Sequence, residues 1–168
     1  MLEVAAFARP NTGAPWSTPR AILYGTLIVG VLDGLDAMIY WGWARGVSPV
    51  RVFQGIAAGL LGRASFEGGY PTALLGLLLH FFIACVVVST YLIASRSLAI
   101  LTRQAVACGL AYGMLVYFFM SRIVVPLSAA GKPRLTLPLL VNGLLIHAVG
   151  VGLPSALVTR ATVQGAET

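Results

Sequence analysis

Four apolar stretches, each close to 20 residues long, constrain this chain more than any other feature. They run over about 21–43, 72–95, 104–125 and 139–158. At 1.5 Å per residue, each is long enough to cross a hydrocarbon core of about 30 Å as a helix. Only 10% of the 168 residues are charged and 58% are hydrophobic. A soluble domain of this size carries about a quarter of its residues charged, so most of this surface must face lipid rather than water. The expected fold is all-α, a four-helix transmembrane bundle forming a single domain over 1–168, with no soluble catalytic module.

The run from Ala21 to Trp43 follows a short polar leader containing Arg9, Pro10, Pro15 and Pro19. It is longer than a signal-peptide core and lacks a small-residue cleavage site, so it is expected to be retained as the first span. Cys85 and Cys108 fall inside spans, where a thiol behaves as a small hydrophobe and implies neither a disulfide framework nor a zinc knuckle. The net charge of +6 comes from single basic residues at loops and helix ends. That pattern suits anchoring to lipid headgroups and excludes a nucleic-acid-binding face. Trp16, Tyr40, Trp41, Trp43 and Tyr70 fall where an aromatic belt would.

Between the first two spans, Ser48 to Gly62 reads as a separate helix with Ser48 as N-cap and Pro49 in the first turn. It is too short to span, and is expected to lie in the interface or dip into the mouth of the bundle. Gly55, Gly59 and Gly62 recur on nearly one face and suit close approach to another helix. The pairs Gly30 with Gly34 and Gly109 with Gly113 repeat that spacing inside spans. Such faces also suit a homo-oligomer or a larger membrane complex.

An even number of spans places both chain ends on one side, called here the terminal side, opposite a loop side. Arg9, Arg20, Arg96, Arg103 and Arg160 fall on the terminal side; Arg45, Arg51, Arg63, Arg122, Lys132 and Arg134 fall on the loop side. The short Ser95-to-Arg103 turn, with arginines near both helix ends, favours cytoplasmic termini in a bacterial inner membrane.

A charged side chain inside a span costs about 2.5–3.5 kcal/mol on insertion scales, so each asks for a partner or a purpose. Asp33 and Asp36 share one face of the first span, three residues apart. His80 lies in the second span, Tyr112, Tyr117, Ser121 and Arg122 in the third, and Asn142 and His147 in the fourth. Converted to height, Asp33, Asp36, His80, Tyr117, Ser121, Arg122, Asn142 and His147 all fall in the loop-side half. They are expected to form a polar pocket open towards the Ser48 helix and the Ser128-to-Pro133 loop. The competing expectation is a structural network in which Arg122 neutralises Asp36.

Several chemistries use such residues. Carboxylates and imidazoles exchange protons near neutral pH, which suits proton-linked permeation, with Asp36 expected to be indispensable. His80 and His147 could instead hold haem b between two spans, and with the aspartates a divalent metal, in a redox subunit. No Gly-x-Ser-x-Gly, His-Glu-x-x-His or phosphate-cradling glycine loop is present, and the expected role is non-enzymatic: a small permeation or transport component, or an accessory subunit.

The last three spans resemble the YagU-like group of small bacterial inner-membrane proteins. The resemblance rests on His80-Phe81 with Tyr91, on Gly109-Leu-Ala-Tyr-Gly113 followed by Pro126, and on His147. It covers Leu74 to Arg160, whereas the run Arg51-Val-Phe-Gln-Gly-Ile-Ala-Ala-Gly-Leu-Leu-Gly62 looks like that of a different family. The resemblance implies an inner-membrane location and a loose link to acid resistance. It implies no biochemical activity, and no functional residue is carried over from it.

Overall fold

The computed structural model describes residues 16–131 and 136–163. The leader with Arg9, Pro10 and Pro15, and the loop residues Lys132, Pro133 and Arg134, lie outside the described residues. Four long apolar helices form the bundle: α1 (Thr18–Arg45), α3 (Gly69–Ser95), α5 (Ala105–Leu127) and α6 (Leu137–Arg160). Two shorter helices join them, α2 (Pro49–Leu61) between α1 and α3, and α4 (Ile100–Arg103) between α3 and α5. Among the described residues there is no strand. The long helices have 28, 27, 23 and 24 residues, all more than the roughly 20 a bilayer requires. Both ends of the described chain meet on the terminal side, where the Trp16 N–H donates to the Ala161 carbonyl at 3.1 Å.

The surface carries the large apolar side chains and the interior the small ones, the reverse of a soluble core. Leu78, Phe82, Ile93, Leu115 and Leu145 all stand more than half exposed, facing lipid. Buried positions are held by Ala21, Ala57, Ala84, Ala105 and Ala156, with Val88 and Tyr91 the largest apolar ones that are fully enclosed. Lipid is as apolar as leucine, so helices associate through close backbone approach rather than by hiding apolar surface. A Cβ on Gly113 would run into the His147 carbonyl, and one on Gly152 into the Gly109 carbonyl, so α5 and α6 touch backbone to backbone. Gly30 leaves the space that the Phe81 ring fills, which makes the α1–α3 seam. Both spacings noted in the sequence therefore lie within one chain's own seams.

Ser48 caps α2 as expected, its hydroxyl accepting from the Arg51 N–H at 3.4 Å. The helix does not lie flat in the interface. Its Phe53 carbonyl abuts Gly76, about 10 Å along α3 from its loop-side end, so α2 dips into the mouth of the bundle. Gln54, 3% exposed, donates to the Gly69 carbonyl at 3.0 Å and holds that position. The close contact is made by Gly76 of α3, and the glycines of α2 play another part. Gly55 has nothing within 4 Å of where a Cβ would be, and Gly59 only Ser128 at 3.9 Å. The Ala129 N–H donates to the Gly59 carbonyl at 3.0 Å, tying the loop after α5 onto α2.

The helix α5 continues through Pro126 to Leu127 rather than stopping before it, and α6 continues through Pro154. Each proline is preceded by a widened π turn, Met120–Val124 in α5 and His147–Gly152 in α6. Proline lacks an N–H and its ring crowds the carbonyl four residues earlier, and opening the preceding turn relieves that clash without ending the helix. The terminal-side half is not purely apolar either. Tyr91 donates to the Leu101 carbonyl at 2.9 Å, Tyr112 to the Val87 carbonyl at 2.8 Å, and Ser155 to the Val151 carbonyl at 2.7 Å.

A leucine at Gly113 should lower unfolding free energy by about 1–3 kcal/mol through overpacking, while alanine at Gly55 should be neutral or mildly stabilising. Denaturation in mixed micelles, followed by tryptophan fluorescence, measures both.

Candidate functional site

The loop-side half of α1 presents Asp33 and Asp36 to its neighbours, and these two carboxylates meet different surroundings. Asn142 of α6 donates through Nδ2 to Asp36 Oδ2 at 2.8 Å. Asp36 therefore has a neutral amide as its partner in place of Arg122. Asp33 lies between two imidazoles, with His80 Nδ1 at 4.0 Å from Oδ2 and His147 Nδ1 at 3.8 Å from Oδ1. Among the described residues no hydrogen bond reaches the Asp33 carboxylate. Its side chain is 26% exposed, into the interior space described below.

Each histidine is oriented by a backbone carbonyl. His80 reaches across the α1–α3 seam, its Nε2–H donating to the Gly30 carbonyl at 2.8 Å. Gly34, where a Cβ would stand 3.2 Å from that nitrogen, leaves room for the ring. A carbonyl only accepts, so the bond assigns the proton to Nε2, and a neutral His80 turns the lone pair of Nδ1 towards Asp33. The Nδ1–H of His147 donates to the Gly143 carbonyl at 2.9 Å, where its π turn begins. The Tyr117 ring packs edge-on against His147 at 5.3 Å between centroids and fills the space over Gly143. The Tyr117 hydroxyl is buried with no hydrogen-bond partner among the described residues.

Measured along their helices, Asp33, His80 and His147 lie about 18, 16 and 15 Å from the loop-side ends of α1, α3 and α6. The three meet just on the loop side of the middle of the membrane. They form one wall of a partly open cavity of about 300 Å³ bordered by α1, α2, α3, α5 and α6. The remaining walls are almost wholly apolar, with Ile83 and Val87 from α3 and Val116, Met120 and Val124 from α5. Gly55, Ile56 and Gly59 of α2 line the loop-side end with Ser128.

The expected polar pocket is thus an apolar chamber with one polar patch. Asp36 and Asn142 stand beside it, Tyr117 lies behind His147, and Ser121 and Arg122 fall outside. The row of α5 that faces the chamber is Val116, Met120 and Val124, at helical spacing, and Arg122 stands off it, exposed. Ser121 turns its hydroxyl back to the Phe118 carbonyl at 3.4 Å. Height along a helix does not reveal azimuth, which is why residues of similar depth separate here. Ile83, Val116 and Met120 carry no signal in an apolar span, and sequence alone did not single them out.

The metal alternative finds no ligand set in this geometry: among the described residues no group of three or more His, Cys, Asp or Glu side chains is arranged to hold a metal ion. His80 commits Nε2 to the Gly30 carbonyl and His147 commits Nδ1 to the Gly143 carbonyl.

Comparison of the chain with protein-family models, with curated proteins and with solved structures finds no match.

Replacing Asn142 by leucine should cost about 1.5–3 kcal/mol, since it leaves Asp36 without its donor. Adding Asp36→Leu to that variant should recover part of the loss, as a double-mutant cycle on unfolding in mixed micelles would read.

Proposed function

We propose that this protein is a small transport component of a bacterial inner membrane, its termini cytoplasmic, that carries a proton at mid-membrane on Asp33. The observation that supports this is a carboxylate near the membrane centre that faces a chamber and receives no hydrogen bond among the described residues. An ionised carboxylate held there is costly, and the usual remedies are a bound proton, a bound cation or a donor side chain. Asp36 has the donor; Asp33 is left for the first two.

His80 serves as the exchange partner. When Asp33 carries the proton, both oxygens and the Nδ1 lone pair are compatible neighbours. Transfer of that proton from the Asp33 oxygen to His80 Nδ1, across the present 4.0 Å, leaves a carboxylate beside an imidazolium. Both states contain the same single proton and the same net charge, so the pair passes it without leaving an isolated ion in the apolar interior. His147 flanks the second oxygen at 3.8 Å. The α2 helix and Ser128 stand between the chamber and the loop side, the side from which water would reach it.

Reconstituted vesicles with an entrapped pH dye and a potassium-valinomycin potential measure the activity. Proton uptake is expected with the wild-type protein and is lost in Asp33→Asn, while Asp36→Asn retains it because an amide still bonds Asn142. Uptake equal in wild-type, Asp33→Asn and protein-free vesicles would remove this function.

A further inference from the structure

The chamber is larger than a proton needs, and its walls specify what else it holds. We infer that it binds a small lipophilic monocation, a primary alkylammonium, in exchange for the proton on Asp33. This inference rests on the proposal that Asp33 is the proton carrier.

Three properties select that class. The first is charge: among the described residues, Asp33 is the one carboxylate on the chamber wall, and no lysine or arginine lines it. An anion would meet a carboxylate in a low-dielectric space, a dication would keep one charge unpaired, and a neutral apolar molecule would leave Asp33 unmet. The second is the set of acceptors. Asp33 offers two oxygens and His80, with its proton on Nε2, offers the Nδ1 lone pair 4.0 Å away. A primary ammonium has three N–H donors for these three acceptors, whereas a quaternary ammonium has none. The third is the wall opposite, where Ile83, Val87, Val116, Met120 and Val124 suit an alkyl stem and nothing polar. A volume of about 300 Å³ admits a chain of moderate length.

A second space of about 240 Å³ lies on the other side of His80, between α1 and α3, lined by Leu35, Met38, Phe53 and Leu77. Leu35 is 46% exposed on the lipid-facing surface there. His80 borders both spaces and forms the partition between them.

The groups facing Asp33 are His80 from α3 and His147 from α6, with Asp36 on its own helix held by Asn142. The parts of α2 and α5 that line the chamber bring no titratable group. The exchange balances as follows: the ammonium enters, the Asp33 O–H bond breaks, the proton leaves to water, and the carboxylate pairs with the ammonium. One positive charge replaces another.

Calorimetric titration of the protein in lipid nanodiscs with hexylammonium chloride, referenced to empty nanodiscs, tests this. A pH dye in weak buffer follows the proton in the same titration. Saturable binding with a proton released for each ammonium bound is expected, weakened by about tenfold or more in Asp33→Asn. Hexan-1-ol and hexyltrimethylammonium should each bind about tenfold more weakly than hexylammonium. Val116→Phe narrows the chamber from the α5 side with the carboxylate in place, and should also weaken hexylammonium. Equal binding of hexanol, or affinity for hexylammonium unchanged in both variants, would overturn the inference in favour of simple partitioning. If hexylammonium does not bind while Asp33-dependent proton uptake persists, the ligand assignment alone falls. If uptake is also absent, the proton-carrier function falls with it.

Discussion

Close backbone contact along glycine seams is the constraint on which the rest of this structure depends. In a bilayer, burying a leucine gains nothing over leaving it in lipid, so helices must approach until their backbones touch. Gly113 against the His147 carbonyl, Gly152 against Gly109, and Gly76 against the Phe53 carbonyl are those contacts. Two of them also position a functional group. The first sets the height of His147, and the last sets the depth to which α2 descends over the chamber. Along the α1–α3 seam, Gly30 and Gly34 admit Phe81 and His80, and the Gly30 carbonyl then fixes the orientation of the imidazole. Packing and site are consequently one arrangement in this protein.

The chamber exists because two helices that could have closed on it do not. Prolines inside α5 and α6 open π turns at Met120–Val124 and His147–Gly152, and both turns border the space around Asp33. A widened turn shifts the side chains beyond it relative to those before. Gly55 and Gly59 add to the effect from α2, where absent side chains leave volume rather than allow contact. Glycine thus serves opposite ends within one small bundle, close approach in the seams and empty space at the chamber's end.

Two aspartates three residues apart show how far environment decides role. Asp36, with the Asn142 amide at 2.8 Å, has a partner that stabilises it in place. Asp33, one turn nearer the membrane centre, has two imidazoles at 3.8 and 4.0 Å and open volume in front of it. Chemically the residues are identical, and helical phase gives them the same face. What separates them is the side chain that α6 brings to each.

The four spans, the short α2 helix with its Ser48 cap, and the height of the ionisable residues Asp33, Asp36, His80 and His147 were legible in the sequence. These depend on quantities that run along the chain: hydrophobic length, cap chemistry and rise per residue. Partner choice was not legible. Arg122 was matched to Asp36 by depth, yet it stands off the facing row of α5, and Asn142 takes its place. Nor did any sequence signal mark Ile83, Val116 or Met120 as chamber walls, since one apolar residue in an apolar span looks like the next. Linear sequence thus determined that this chain crosses a membrane four times and at what height its ionisable groups lie. Tertiary structure alone decided which of them meet, because azimuth depends on how neighbouring helices pack and on where prolines shift their register.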